Sequence, residues 1–232
     1  MVNKKKILTF ITAVVLSASL WAQAPKGYGS NITDVEGNTY KTVQIGTQVW
    51  MAENLKTSKY NDGSTITNIT DDTQWDNNET GAWCYNNNDA SNNSKYGKLY
   101  NWYAVSKTTN GDKNICPIGW HVPTDDEWTV LTDYLGGESV AGGKMKEVGT
   151  KSWLSPNTDA TNASLFTSLP GGSRVSSEED NLLGLYGFWW NSSEEDAGVH
   201  RAWSRNMDSS SGNAGRSYND KGNGFSVRCL RD

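Results

Sequence analysis

The sequence predicts one α+β domain with two main helices, short antiparallel sheets and long loops. Three observations lead there. Strand-like, aromatic-rich segments lie at both ends of the chain, while the strong helix signals fall in the middle. Long Asn/Ser/Gly/Thr stretches separate these segments, as in a loop-rich chain. Leu, Ile and Val are sparse, yet there are 11 Trp and 10 Tyr. Each large ring can bury about 150–250 Å², so the rings must supply the core.

Taken in order, Lys4, Lys5 and Lys6 precede an apolar run from Ile7 to about Leu20, and Ala22 is a small residue suited to cleavage. That is the pattern of a secretory signal peptide over residues 1–22. The run is shorter than the roughly 20 apolar residues of a spanning helix, and no later stretch is apolar enough to span a bilayer. Residues 23–33 read as a linker and 34–232 as the domain. In "GNTYKTVQIGTQVWMAENL" Val43 and Ile45 alternate with Tyr40, Thr42 and Gln44; Gly46-Thr47 supplies a turn and Gln48–Met51 resumes, so a β-hairpin is expected. The stretch from Thr57 to Thr80 reads as loop, with Asp62-Gly63 a tight turn.

Leu99, Trp102, Tyr103 and Ser106 fall at helical spacing, which predicts a helix over Leu99–Ser106 packed on the core. Thr124-Asp125-Asp126-Glu127 fits a capping box, and Trp128, Leu131 and Leu135 form the buried stripe behind it. Gly136-Gly137 ends that helix, and Asp125 and Asp126 suit the positive end of its dipole. A second helix is expected over Ala141–Val148. Gly187–Glu195, His200–Asp208 and Asn223–Asp232 read as strands. In the last, Phe225, Val227 and Cys229 form the inward face and Arg228 the opposite one.

Loss of residues 1–22 would leave 18 basic and 26 acidic residues, a net charge of about −8. Such a surface repels polyanions and argues against a nucleic-acid partner. In an exported chain, three cysteines suggest one disulfide and one leftover thiol. The expected pair is Cys116 with Cys229, one before the capped helix and one on the inward face of the last strand. Cys84 is then a buried thiol, since a thiol nucleophile would need a neighbouring base and a depressed pKa.

Only His121 and His200 are available as imidazole ligands, so a zinc site is not expected; His121 reads as a hydrogen-bonding residue in the turn before the helix. Calcium is the one ion the acidic loops suit, at Thr70–Thr73, Trp75–Glu79 or Trp190–Asp196, although none has the spacing of a helix-loop-helix calcium loop. "LPGGSR" (Leu169–Arg174) reads as a tight backbone turn. No phosphate-binding loop or nucleophile elbow is present.

"VEGNTYKTVQIGTQVWMAENLKTSKYNDG", "YGKLYNWYAV", "CPIGWHVPTDDEW", "LPGGSR", "WWNSS" and "GFSVRCLRD" together resemble the Fibrobacter succinogenes major paralogous domain family, from about Val35 to Asp232. The resemblance implies an exported bacterial domain similar in layout to C-type-lectin-like folds, which include formylglycine-generating enzymes. Those enzymes use cysteines before the final strand, and Gly212–Gly222 contains none. Calcium-dependent lectins use Glu-Pro-Asn and Trp-Asn-Asp; here Trp190-Asn191-Ser192 lacks the aspartate and no Glu-Pro-Asn occurs.

The expectation is therefore a non-catalytic binding domain for a glycan or protein ligand, in the periplasm or at the cell surface, with no cofactor. The ligand surface would be built by Trp189, Trp190, Asn191, Trp203, Arg205 and Arg216. One of Trp189 and Trp190 should face outward, because neighbours on a strand alternate; the alternative is that loops bury both rings. The competing readings are a structural adhesion component and a formylglycine-type enzyme, the latter requiring a reactive cysteine pair.

Overall fold

The last strand of the chain is held between its first hairpin and the segment that leads into the capped helix. The computed structural model describes residues 27–175, 182–195 and 200–232. Its principal elements are β1 (Thr42–Ile45), β2 (Gln48–Met51), β3 (Trp120–His121), α1 (Asp125–Tyr134), α2 (Glu138–Met145), β4 (Tyr186–Glu194), β5 (Arg201–Asp208), β6 (Gly215–Asp220) and β7 (Leu230–Arg231). The expected signal peptide and the start of the linker lie outside the described residues.

β1 and β2 form the expected hairpin, with Ile45 opposite Gln48 across Gly46-Thr47. Gly46 has φ 61°, and a Cβ there would lie 3.0 Å from the Tyr134 ring, so turn and packing both require glycine. Leu230 pairs with Trp50 on one side and His121 on the other, giving the sheet order β1-β2-β7-β3. Part of the stretch read as linker is tied down as well. Gly29 N–H donates to Thr42 C=O, and Ile32–Thr33 pairs with Thr39–Tyr40.

α1 begins at the predicted capping box: Thr124 Oγ1 accepts from Glu127 N–H, and the Glu127 carboxylate accepts from Thr124 N–H at 2.8 Å. It ends as a Schellman motif, with Gly137 N–H on Thr132 C=O and Gly136 N–H on Asp133 C=O. Trp128, Leu131 and Leu135 are buried beneath it, as the stripe requires. α2 starts and stops three residues before the expected span. Gly137 caps it, and Lys146 is already extended, bridging to Ser168.

Other expectations are corrected. Leu99–Tyr100 is a strand, not a helical turn, because both residues pair with the Ala82–Cys84 strand; helix survives only over Trp102–Val105. The Asn101 side chain starts it, accepting from Ala104 N–H. The stretch read as loop contains a short helix, Asp72–Asp76, capped by Asp71. Asn223–Asp232 enters a ladder only at β7 and otherwise makes single bridges. Both of its faces are covered: Phe225 to Leu230 are all buried, Arg228 included. The Arg228 guanidinium donates to Asn54 Oδ1 and to the carbonyls of Met51, Phe166 and Thr167. Gly212–Gly222, read as loop, contains β6.

β4, β5 and β6 form a second sheet, in the order β6-β5-β4. It separates two core clusters. Trp189 and Met207 pack with Trp50, Trp128, Leu131 and Phe166. Trp190 and Ala202 pack with Tyr100, Trp102, Phe225 and Val227 around the disulfide.

Cys116 and Cys229 are bonded, as predicted, across a separation of 113 residues. In the chain-entropy picture a loop of that length contributes about 4–5 kcal/mol. The Cys116→Ser/Cys229→Ser variant should therefore lose about 2–5 kcal/mol of unfolding free energy in a denaturant titration. A loss below about 1 kcal/mol would mean that β7 is held by its neighbours alone.

Candidate functional site

The site grows from the first residue of α1. Asp125 is 6% exposed, and its carboxylate faces β5 and β6. Arg205, on β5, is fully buried; its Nη2 donates to Asp125 Oδ1 at 3.1 Å and to Thr129 Oγ1 at 2.9 Å, and its Nη1 to Glu138 Oε1 at 2.6 Å. Arg216, directly opposite on β6, donates through Nε to Asp125 Oδ2 at 2.8 Å. That hydrogen bond raises the Arg216 pKa above its ordinary value. Asn191 Nδ2 donates to Asp125 Oδ1 at 3.2 Å, and Asp125 N–H donates to Ser193 Oγ. Asp125 thus does more than favour a helix dipole: it pins three strands of the late sheet to the start of α1.

Four residues expected to meet a ligand are interior. Trp189 and Trp190 are both fully buried, and the expected outward ring is absent. Alternation holds, but each face of β4 has its own core cluster to cover it. Their indole N–H groups are used internally, Trp189 on Asn54 Oδ1 and Trp190 on Tyr100 C=O. Asn191 is fully buried too, and its carbonyl accepts from the Trp102 indole. Arg205 joins them as a buried partner of Asp125.

Trp203 and Arg216 remain accessible, and two unforeseen residues complete their surface. Arg216 lies over the Trp203 ring at 3.6 Å, Trp203 meets Tyr218 edge-on at 5.4 Å, and Arg201 lies over Tyr218 at 4.3 Å. This ladder crosses β5 and β6 where the sheet extends past α1. Tyr218 is 44% exposed. Beside its Arg201 end, Asp76, Asn78, Glu79, Tyr103, His200 and Asp220 help to line a polar pocket of about 230 Å³. Burial, with the Glu79 and Asp220 carboxylates, raises the Tyr103 pKa. Tyr218 was hidden in the sequence because β6 is polar on both faces. Its one signal is the alternation of Arg216, Tyr218 and Asp220 with Ser217 and Asn219.

The Fibrobacter succinogenes major domain matches residues 43–231, from the first hairpin to the last strand. The chain belongs to this family. No curated protein and no solved structure matches it. In this Fibrobacter succinogenes major domain the other sequence candidates have structural partners. His121 sits on β3, not in a turn, with Nδ1 2.7 Å from Asp232 and Nε2 3.0 Å from Glu127. Asp71 caps its helix, and Asp72 pairs with Arg174, which also lies over Trp75. Glu194 lies 3.5 Å from Lys221 and Glu195 pairs with Arg201. Among the described residues no group of three or more His, Cys, Asp or Glu is placed to hold a metal. Leu169–Arg174 turns only at its start, where Gly171 N–H bonds Leu169 C=O; Gly171, Gly172 and Arg174 then bridge to Leu183, Gly187 and Gly224, with Gly172 at φ 64°.

Two measurements test this arrangement. Asp125→Ala leaves the buried Arg205 with only the half-exposed Glu138 as a charged partner and frees Arg216, and should cost about 3–5 kcal/mol of stability; a loss under about 1 kcal/mol would contradict the network. Cys84 is fully buried, and burial pushes its thiol up to about 11, with Asp72 adding and Arg174 opposing. Thiol titration of the native protein near neutral pH should therefore be slow and become rapid on unfolding. Because the folded pKa is raised, this group's contribution to stability is full below its unfolded pKa and is lost as pH rises through about 11.

Proposed function

We propose that this chain is an exported, non-catalytic binding domain of C-type-lectin-like layout that holds a glycan on the open end of its late sheet. The layout is supported by the union of the first hairpin with the last strand, by the two helices between them and by the separate three-stranded sheet. Export is supported by the basic and apolar pattern of residues 1–22 and by a disulfide suited to an oxidising compartment.

The observation that carries the ligand is the half-exposed ladder Arg201–Tyr218–Trp203–Arg216 beside a polar pocket. Ring faces suit the apolar faces of sugars. Guanidinium, carboxylate and amide groups around them suit pairs of hydroxyls. Asp125 and the flanking rings fix the arginines in advance, which lowers the ordering cost of binding. Among the described residues no helix is long and apolar enough to cross a membrane.

A screen of the purified protein against polysaccharides, followed by calorimetry on the best binder, tests the reading. Trp203→Ala and Tyr218→Ala should each weaken binding about tenfold or more. Retained affinity in both variants would move the site elsewhere. Failure to bind any glycan, with capture of a surface protein through the same residues, would make the ligand a protein.

A further inference from the structure

β6 is the outer strand of the late sheet, and among the described residues no strand lies beyond it. Lys221 N–H donates to His200 C=O, and bonded pairs alternate along an antiparallel ladder. Gly215, Ser217 and Asn219 therefore turn their main-chain groups toward β5, while Arg216, Tyr218 and the Asp220 N–H turn outward; the Asp220 carbonyl accepts from Asn223 N–H within the chain. Proteins commonly blunt such an edge with charged side chains, lysine above all, with proline or with a bulge; the two charges of β6, Arg216 and Asp220, are of opposite sign. β6 has no proline or lysine, and the irregularity in this sheet falls between β4 and β5.

The chemistry of β6 is complementary to itself. From Arg216 to Asp220 the strand reads cation, small polar, tyrosine, small polar, anion. We propose that this edge pairs with the same edge of a second copy of the chain, antiparallel about a two-fold axis at Tyr218. In that register Tyr218 meets Tyr218 of the partner subunit, and Arg216 faces Asp220 of the partner subunit. Ser217 faces Asn219 of the partner subunit on the other side of the sheet. Tyr218 exchanges both main-chain hydrogen bonds across the axis, and Asp220 N–H reaches the Arg216 carbonyl.

Opposite charges set directly across a strand pair are favourable, and like charges are not. Sliding the register until Arg216 or Asp220 lies on the axis places like charges together. Arg216 is 39% exposed even while bonded to Asp125, and Asp220 is exposed. Pairing would join two three-stranded sheets into one of six and place the two ladders side by side. A repetitive ligand would then meet two sites on one rigid face, a gain through effective concentration. The inference concerns self-association and stands whatever ligand the ladder takes.

Sedimentation equilibrium on the purified chain over a wide concentration range should show a reversible dimer. Tyr218→Pro removes an outward N–H, a position an edge strand tolerates, and should raise the dimer dissociation constant about tenfold or more while circular dichroism stays unchanged. Asp220→Lys sets like charges opposite and should do the same. Under mild oxidation Tyr218→Cys should cross-link, because bonded partners lie about 5.5 Å apart at Cα, within disulfide range. Ser217→Cys should not. A monomer at every concentration overturns the proposal. So does a dimer unaffected by Tyr218→Pro and Asp220→Lys, or one cross-linked as well by Ser217→Cys as by Tyr218→Cys.

Discussion

The late sheet depends on one buried carboxylate. Asp125 takes arginines from two adjacent strands and an amide from the third, while its own N–H is held by Ser193. A fully buried guanidinium such as Arg205 is costly unless an anion meets it in the interior. The first turn of α1 is where an anion is favoured, since unpaired helix N–H groups add positive potential there. The helix start and the sheet therefore stabilise the same charge, and neither position is free to move alone. Arg216 extends the network outward, because the guanidinium bonded to Asp125 also covers the Trp203 ring.

This arrangement divides the late sheet into an interior end and an open end. β4 and the inner part of β5 are sandwiched between two clusters of rings, which accounts for the burial of Trp189 and Trp190. Beyond α1 nothing among the described elements covers Trp203 and Tyr218 fully, so their rings stack with arginines. The surface continues a packed structure, which would suit the proposed binding face better than a loop would.

What the sequence made legible was local. The capping box, the Gly136-Gly137 stop, the Gly46 turn and the inward Cys229 each follow from residue types within a few positions of one another. The Cys116–Cys229 bond followed from few cysteines and two well-placed elements. Tertiary cover was not legible: alternation gives Trp189 and Trp190 opposite faces, but not whether both faces are packed. Leu99–Tyr100 has helical spacing, yet strand partners on both sides outcompete it. Tyr218 is hidden because a polar strand resembles a loop, and Arg201, though on an expected strand, gains its place only from its contact with Tyr218. Asp125 was noticed for the dipole, while its two arginines lie 80 and 91 positions away.

Hydrogen–deuterium exchange on Asp125→Asn tests most directly whether this carboxylate holds the late sheet. The substitution keeps the size of the side chain and removes its charge. Amides of Ala202, Ser204, Ser217 and Asn219 should lose protection, while Val43 and Trp50, a bonded pair of the first hairpin, keep theirs. Unchanged exchange throughout, or an equal loss in both sheets, would contradict the account.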